Sequence, residues 1–535
     1  MLNSRVVSLR KLTLLNSQSL PYLPTLPITR TQGSLSNIIS TTKSRLIKGY
    51  VTVVNRATSC LSAVLTVTFI ALSSAAVSAA SSAENTIELN EFSSDTEGLL
   101  FTLQGSNTIG AHLAPAWAMA YLKAKGCDYV HVRALENNNE VRVIGKRGYL
   151  SVYIDIHAHG SSTGFKGLHL KTADIALASR SIKPTEKAQL KHYGNMSSFN
   201  AEHVVAIDGL AVVVNPSNPI EQLTVEQVAQ IFSGKIRNWR EVGGLNHAIN
   251  IYARDDNSGT WDTFSSLVLG KSHNLSASAA RFESNDQLSD SVARDVAGIG
   301  FVGLASVRRS KALAIQEQDS TPLLPEPLYV ATEDYALARR LYMYTPAYGN
   351  KPEVDEFIAF AHSITGQKIV EEIGFISQNP ISLAVDTVDS PRIYSALTQH
   401  GKRLSINFRF VPGDANLDNK AKQDVQRVVD YINKNKDDSI QIQLVGFSKL
   451  KATESRAKVI SKLRTAAVKA ELFRQGIVTD AIIGLGADLP VAANEGRSAL
   501  KNERVEIWLF DKKHKHLLKE PSNADRINEL LSEAH

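Results

Sequence analysis

The chain has 535 residues, of which 43% are hydrophobic, and a formal net charge of +6. That length exceeds one ordinary domain, so two or three are expected. The charge does not mark a nucleic-acid binder: residues 1–83 hold eight Lys/Arg and no Asp or Glu, and the remainder carries 51 basic against 53 acidic residues, so no nucleic-acid partner is expected.

The basic leader ends in an apolar run at 60–72, followed by SSAAVSAASS. A basic flank, a short apolar core and the Val77-Ser78-Ala79 cleavage pattern describe a secretory signal, so 1–80 is expected to be a leader and the mature protein exported. An organellar transit peptide, also basic and Ser-rich, is the alternative. The apolar run is too short and too rich in Ser and Thr for a membrane span. Cys60 leaves with the leader and Cys127 remains, which excludes an internal disulfide and suggests no Cys-based metal site. No cofactor is expected.

Residues 81–98 read as a polar linker. A strand at 99–105 leads into Ser106-Asn107-Thr108-Ile109-Gly110, then a helix at 112–125 with Leu113, Trp117, Tyr121 and Leu122 on one face. A second strand at 151–157 leads into Gly160-Ser161-Ser162-Thr163-Gly164, with helix from 165 to 172. Residues 173–183 form a strand ending in Ser179-Arg180, and 203–214 a buried strand carrying Asp208. A helix is expected at 223–232, with Trp239 in a turn after it. The third strand–turn–helix unit is 252–269, where Arg254 precedes Ser258-Gly259-Thr260. Strands at 297–302, 328–330 and 340–344 and a helix near 354–364 complete the region. Backbone N–H groups at a helix start lack intrahelical partners, small hydroxyl residues add donors, and an arginine adds full charge; together they suit a tetrahedral oxyanion. Alternation of strands and helices implies an α/β fold.

The pattern weakens at 385–403, read as a second linker. A separate unit then reads as β-α-β-α-β-β, with strands at 404–410, 440–445, 482–485 and 504–509. Its helices are at 419–433 and 456–475, the latter with Val459, Leu463, Ala466, Ala467 and Ala470 at helical spacing. Its expected extent, 404–511, is enough for a small domain. A charged tail fills 512–535, with a short helix near 524–531.

Residues 99–384 resemble the periplasmic phosphate-binding proteins of ABC importers. The resemblance is carried by GSNTIG (105–110), GSSTGFKGL (160–168), ADIALASRSIK (173–183), AIDGLAVVVNPSNPI (206–220), IFSGKIRNW (231–239), ARDDNSGTWDTF (253–264) and GIGFVG (298–303). It implies two lobes that close over inorganic phosphate, a periplasmic location and an ABC permease in the inner membrane as partner. It also implies that Thr108, Ile109, Ser161, Arg254, Ser258, Gly259 and Thr260 grip the anion. Ser179 and Arg180 occupy a segment where several family members carry Ser and an acidic residue. That carboxylate can accept the proton of hydrogen phosphate and penalise sulfate. Arg180 adds positive charge in its place, and Asp208 is the candidate substitute acceptor.

Residues 404–510 resemble the OmpA-like domain that holds peptidoglycan, through Phe410–Leu417, VGFS, SKLRTAAVKAEL, GLGADLPVAAN and KNERVEIWL. In that family an Asp and an Arg clamp the ammonium and carboxylate of a diamino acid in the wall peptide. Arg464 fits the Arg position, Lys449 stands at the Asp position, and Glu454 is a candidate substitute carboxylate.

Two other classes compete. Gly160–Gly164 fits G-x-S-x-G with Ser162 central, which would make a serine-dependent hydrolase, but no HGGG-type motif accompanies it. His157 and His159 share a strand face without a carboxylate-rich metal pattern. An oxyanion sensor or cell-envelope scaffold without transport is the third class. The favoured expectation is a non-enzymatic phosphate receptor with an OmpA-like module.

Overall fold

The computed structural model describes residues 89–93, 95–256, 258–318, 320–385, 390–495 and 498–519. The leader, its cleavage pattern and the helix expected at 524–531 lie outside the described residues. Five strands open the body: β1 (Gly98–Gly105), β2 (Tyr129–Ala134), β3 (Glu140–Arg147), β4 (Leu150–Ala158) and β5 (Ile175–Ala178). A long strand, β6 (Glu202–Val214), crosses to a second lobe. That lobe holds β7 (Gln222–Thr224), β8 (Asn250–Arg254), β9 (Ala280–Phe282), β10 (Gly298–Gly303), β11 (Lys311–Ala312) and β12 (Ala314–Gln316). The return strand is β13 (Ala338–Tyr344).

In the first lobe β1 lies between β4 and β5, parallel to both. Parallel strands are covered on both faces, which is why the inner strand β5, IALA, is apolar and buried throughout. One cover is the helix Leu113–Ala124, whose Trp117 and Tyr121 pack with Phe101 and Phe357 in a fully buried cluster. Trp117 Nε1 donates to Gly366 O at 2.7 Å, so the largest side chain of that core leaves no polar atom unpaired. The second lobe centres on Phe232, Trp239, Phe264 and Phe301, with Phe264 and Phe301 stacked at 3.9 Å between centroids.

The lobes share one sheet through β6. Its residues 202–209 pair with β13, and residues 210–214 pair with β10. The change of partner falls between Gly209 and Leu210, directly opposite Ala338.

The C-terminal module has β14 (Ser382–Leu383), β15 (Gly401–Arg409), β16 (Ile440–Phe447), β17 (Ile483–Gly486) and β18 (Arg504–Asp511), in the order β14-β15-β18-β16-β17. The helices Asn419–Lys434 and Glu454–Arg474 pack on this sheet. The α/β body and α+β module are those expected from the sequence.

Four local readings differ. Residues 328–330 belong to the helix Pro327–Ala331, not a strand: Pro327 at its first turn has the φ a helix needs. Residues 390–403, expected as linker, contain the helix Arg392–His400, whose Tyr394 and Leu397 are buried beside Trp508. The expected linker 81–98 also contributes to the core, since Phe92 is buried against Tyr121. In the helix Glu454–Arg474 the apolar residues Val459 and Leu463 point outward, at 57% and 61% exposure, while Ser461, Arg464, Thr465 and Val468 are buried. The reason is close approach to the sheet. A Cβ on Gly446 would meet Thr465 Oγ1 at 2.0 Å, and one on Gly484 would meet Ser461 Oγ at 2.7 Å, so small residues face the strands.

The module is joined to the body by charge. Asp334, fully buried in the turn before β13, accepts from Arg403 Nη2 at 2.7 Å, Asn407 Nδ2 at 2.8 Å and Arg409 Nη2 at 3.0 Å, all on β15. Glu506 of β18 balances Arg403 at 3.3 Å and Arg504 at 3.0 Å. Burial alone would raise the Asp334 carboxyl, but the guanidinium groups of Arg403, Arg504 and Arg409 hold it at about 2, below its ordinary 3.8. A depressed carboxyl stabilises above its unfolded value and loses that contribution as pH falls through its folded one. Asp334→Asn is therefore expected to cost about 3–5 kcal/mol at neutral pH, because three arginines lose a buried charge. Denaturant unfolding of parent and variant should converge as pH falls from 3.8 to about 2. A gap independent of pH would remove the ionised Asp334 as its source.

Candidate anion-binding site

Three polar turns sit at the carboxyl ends of β1, β4 and β5, which lie side by side, and a fourth follows β8. Gly160 N donates to Gly105 O at 2.7 Å, and Ser106 N donates to Leu177 O at 2.9 Å, which ties the first three together. Gly105 has φ +142°, and a Cβ there would lie 2.1 Å from Leu177 O, so only glycine allows the junction. The fourth turn meets the first directly: a Cβ on Gly259 would lie 2.6 Å from Thr108 Cα.

The helix Asn107–Gly110 begins at Ser106, and its first internal bond runs from Gly110 N to Ser106 O. The N–H groups of Asn107, Thr108 and Ile109 therefore have no intrahelical acceptor. The Ile109 side chain is in the first-lobe core, so its backbone is what the turn offers. Ser106 Oγ is buried with no partner among the described residues. The next helix starts at Ser161, four residues earlier than its apolar pattern indicates, so Ser161 and Ser162 form its first turn. In the helix Gly259–Phe264, Trp261 N bonds to Ser258 Oγ at 3.3 Å and Asp262 N to Ser258 O at 3.0 Å, leaving the Gly259 and Thr260 N–H groups without an intrahelical acceptor.

The hydroxyls share one arrangement. Thr108 Oγ1 accepts from Arg339 Nη2 at 2.9 Å, and Ser161 Oγ accepts from Ser179 N at 3.1 Å. Ser258 Oγ accepts from Trp261 N, and Thr260 Oγ1 accepts from Asn285 Nδ2 at 3.4 Å. A hydroxyl has one proton and can accept as well as donate. With an N–H donating into each oxygen, each hydroxyl can act as a donor, the polarity an anion requires, and Thr108 Oγ1 already does so to Gly259 O at 3.5 Å. Ser179 Oγ lies 3.3 Å from Ser161 Oγ.

Two buried arginines supply charge. Arg254 Nε donates to Phe282 O at 3.1 Å and Nη2 to Glu283 O at 2.6 Å, with Asp255 at 3.5 Å. Its position is fixed mainly by neutral carbonyls. Arg339, which the sequence did not single out, bonds to Asp208 Oδ2 at 3.2 Å through Nε and to Gly259 O at 3.1 Å through Nη2. Burial lowers the pKa of both guanidinium groups, and Asp255 and Asp208 oppose it. Asp208 Oδ2 also accepts from Thr263 Oγ1 at 2.8 Å, so this carboxylate anchors the floor of the site. Arg180 makes a two-armed pair with Glu186, at 2.7 and 2.9 Å, and donates to Ser162 Oγ at 2.9 Å. Its charge is largely matched there. Burial raises Glu186, but Arg180 and the Lys183 N–H outweigh that and lower its pKa.

The hydrolase reading finds other partners: Ser162 is held by Arg180, and His159 Nε2 lies 2.8 Å from Glu140. Among the described residues no group of three or more His, Cys, Asp or Glu is placed to hold a metal ion, and no helix is long and apolar enough to cross a membrane. In the module, Arg464 Nη2 donates to Glu503 Oε2 at 2.7 Å, while Lys451 and Lys449 lie 3.5 and 3.8 Å from Oε1. Glu503, and not the exposed Glu454, is the carboxylate beside Arg464. A separate cavity of about 560 Å³ opens between the first lobe and the helix Asn419–Lys434, lined by Phe199, His203, Tyr348, His362 and Gln423; the residues of the four turns do not line it.

Residues 146–364 match the family model described as a PBP superfamily domain, and residues 409–504 match the OmpA family. The phosphate-binding protein PstS of Borreliella burgdorferi is 32% identical over 227 residues, spanning 41% of this chain and 77% of that protein. Protein SphX of Synechococcus elongatus is 32% identical over 238 residues, spanning 42% and 69%. PstS of Pseudomonas aeruginosa is 27% identical over 328 residues, spanning 58% and 92%. Among solved structures, an ABC-type phosphate transport receptor from Vibrio cholerae aligns with 52% of this chain and 99% of its own, at 27% identity and a TM-score of 0.40.

The contact of Gly259 with Thr108 gives a direct test of the junction. Gly259→Ala places a methyl against backbone, which cannot rotate away, and is expected to cost about 1–3 kcal/mol in thermal unfolding. An unchanged Tm would mean that the two turns are not in contact.

Proposed function

We propose that this chain, which belongs to the PstS family of phosphate-binding proteins and carries an OmpA-family module behind that domain, binds inorganic phosphate in the periplasm and delivers it to an ABC permease of the inner membrane. The observation that carries the reading is the common polarity of the four hydroxyls. Thr108, Ser161, Ser258 and Thr260 each receive an N–H and so can each donate the hydroxyl proton, that of Thr108 in exchange for its 3.5 Å contact with Gly259 O. Together with the first-turn N–H groups of Thr108, Ile109, Gly259 and Thr260, and with Ser179, they make a set of neutral donors from both lobes. Arg254 adds the charge. Closure of the lobes around the anion would exclude water, strengthen each bond and present one closed shape to the permease.

Arg180, matched by Glu186, contributes orientation of the Ser161-Ser162 turn more than net charge. Asp208 has one oxygen engaged by Thr263 and Arg339, so acceptance of the proton of hydrogen phosphate falls to its other oxygen. The OmpA-like module would hold the receptor near the cell wall, with Arg464 toward a wall-peptide carboxylate and Glu503 as the carboxylate beside it. Lys449 weakens recognition of an ammonium group there by like-charge repulsion.

Isothermal titration of residues 81–535 should give saturable heat with phosphate and weaker binding of sulfate. Arg254→Met is expected to lower phosphate affinity by about 10–150-fold, the loss of a hydrogen bond to a charged group. Absence of heat with phosphate in the parent protein defeats the reading. For the module, purified cell wall should retain the protein, and Arg464→Ala should release it; equal retention of the two would exclude Arg464 from wall binding.

A further inference from the structure

Strand β13 carries two adjacent arginines, and a strand sends adjacent side chains to opposite faces. Arg339 faces the anion site, bonded to Thr108, Gly259 and Asp208. Arg340 faces the module. Its Nη1 donates to Asp418 Oδ2 at 2.8 Å and its Nε to Glu333 Oε2 at 2.8 Å. Asp418 is the N-cap of the helix Asn419–Lys434, accepting from Ala421 N through its other oxygen at 2.8 Å. One residue on the return strand therefore touches both sides of the anion site, and its neighbour touches the first turn of a module helix.

The module grips the rest of the crossing as well. Lys501 Nζ donates to Tyr335 O at 3.1 Å and to Ala336 O at 3.4 Å, immediately before β13. Asn419 Nδ2 donates to Glu202 Oε1 at 3.1 Å, at the start of β6. On the first lobe Arg427 Nη1 donates to Gln378 Oε1 at 3.0 Å, and on the second lobe Thr321 N donates to Pro490 O at 3.0 Å. Both lobes and both crossing strands thus have bonds to one small module. A change in the angle between the lobes has to stretch or exchange some of these bonds.

We propose that the OmpA-like module has a second function, as the element that sets the closure equilibrium and hence the anion affinity of the cleft, acting through Arg340 and the segment held by Lys501. The inference rests on the cleft being the anion site proposed above. Coupling of this kind is reciprocal: if module docking changes affinity for the anion, the anion changes the strength of module docking by the same factor.

The test uses residues 81–535, two variants outside the anion site and one control. Asp418→Asn keeps a good N-cap but gives up the ion pair with Arg340. Lys501→Met releases the carbonyls of Tyr335 and Ala336. Glu471→Gln, on a surface pair with Arg474, is the control. Phosphate is expected to slow hydrogen exchange at amides 419–434 in the parent. Asp418→Asn and Lys501→Met are each expected to shift the phosphate Kd by at least about fivefold, while the control stays within about twofold. Spin labels at Leu170→Cys and Leu245→Cys, both exposed and on different lobes, should show a shifted inter-lobe distance in both variants without ligand. Exchange at 419–434 that ignores phosphate, with unchanged Kd in both variants, overturns the inference. If the parent takes up no phosphate, the proposed function has failed, and the ligand-free distances decide alone: unchanged distances overturn the coupling, and shifted ones support it.

Discussion

The cleft depends on a buried ion pair between its two crossing strands. Arg339 and Asp208 are direct cross-strand partners on β13 and β6, with side chains about nine-tenths buried. Taking both charges out of water costs several kcal/mol per ion, which attraction alone does not reliably recover. What the pair gains is placement. Arg339 Nη2 reaches Thr108 Oγ1 and Gly259 O, and Thr263 reaches Asp208 and Gly259 O. The Gly259 carbonyl would repel an anion; with Arg339 Nη2 bound to it, it is held away and screened. The N–H groups at the same helix start have no intrahelical acceptor. One buried pair thus fixes which end of the peptide dipole each turn presents.

Charge matching decides which arginine gives the cleft its field. Arg180 and Arg254 look alike in the sequence, Arg180 directly after Ser179 and Arg254 four residues ahead of Ser258. Arg180 is neutralised by a two-armed bond to Glu186. Arg254 is steadied by two backbone carbonyls, which bring only partial charge, and its carboxylate neighbour Asp255 is at the longer distance of 3.5 Å. The less fully matched positive charge of the two is therefore that of Arg254.

Much of this was legible in the chain because it is local. The polar turns are written as short runs of Gly, Ser and Thr after apolar strands, and the module's strands and helices follow their own periodicity. Arg339 was not legible. Its strand reads ARRLYMY, and nothing nearby says which arginine faces a cleft whose other members lie 80 to 231 residues away. Glu503 was missed for the same reason, since it meets Arg464 from 39 residues along the chain. The helix Glu454–Arg474 misled because its apolar spacing marks the outer face. The inner face is set by three glycines of the opposing strands, Gly446, Gly484 and Gly486, which leave room only for small or flexible side chains.

Beside the apolar contacts of Leu328 and Val491, the module interface carries a polar centre where an apolar one would be easier to build. Asp334, Arg403, Asn407, Arg409, Arg504 and Glu506 form a connected network in which Arg403 Nε, Arg409 Nε and Arg504 Nη1 lack a partner among the described residues, and such networks fix geometry more than they add stability. Apolar faces can slide; a carboxylate shared by two arginines and an amide at 2.7–3.0 Å cannot. The place it fixes is mechanically specific. Asp334 and the Lys501 bonds hold residues 334–336, and Asp418 holds Arg340. Between these anchors lie residues 337–339, opposite the point on β6 where Gly209 and Leu210 change sheet partners. The part of the return strand between these anchors is thus three residues long, and Arg339 within it bonds to Thr108 on the first lobe and Gly259 on the second. A lobe motion small enough to fit that stretch moves the two anion-binding turns relative to each other, which is the motion that opening and closing a cleft for a small anion requires.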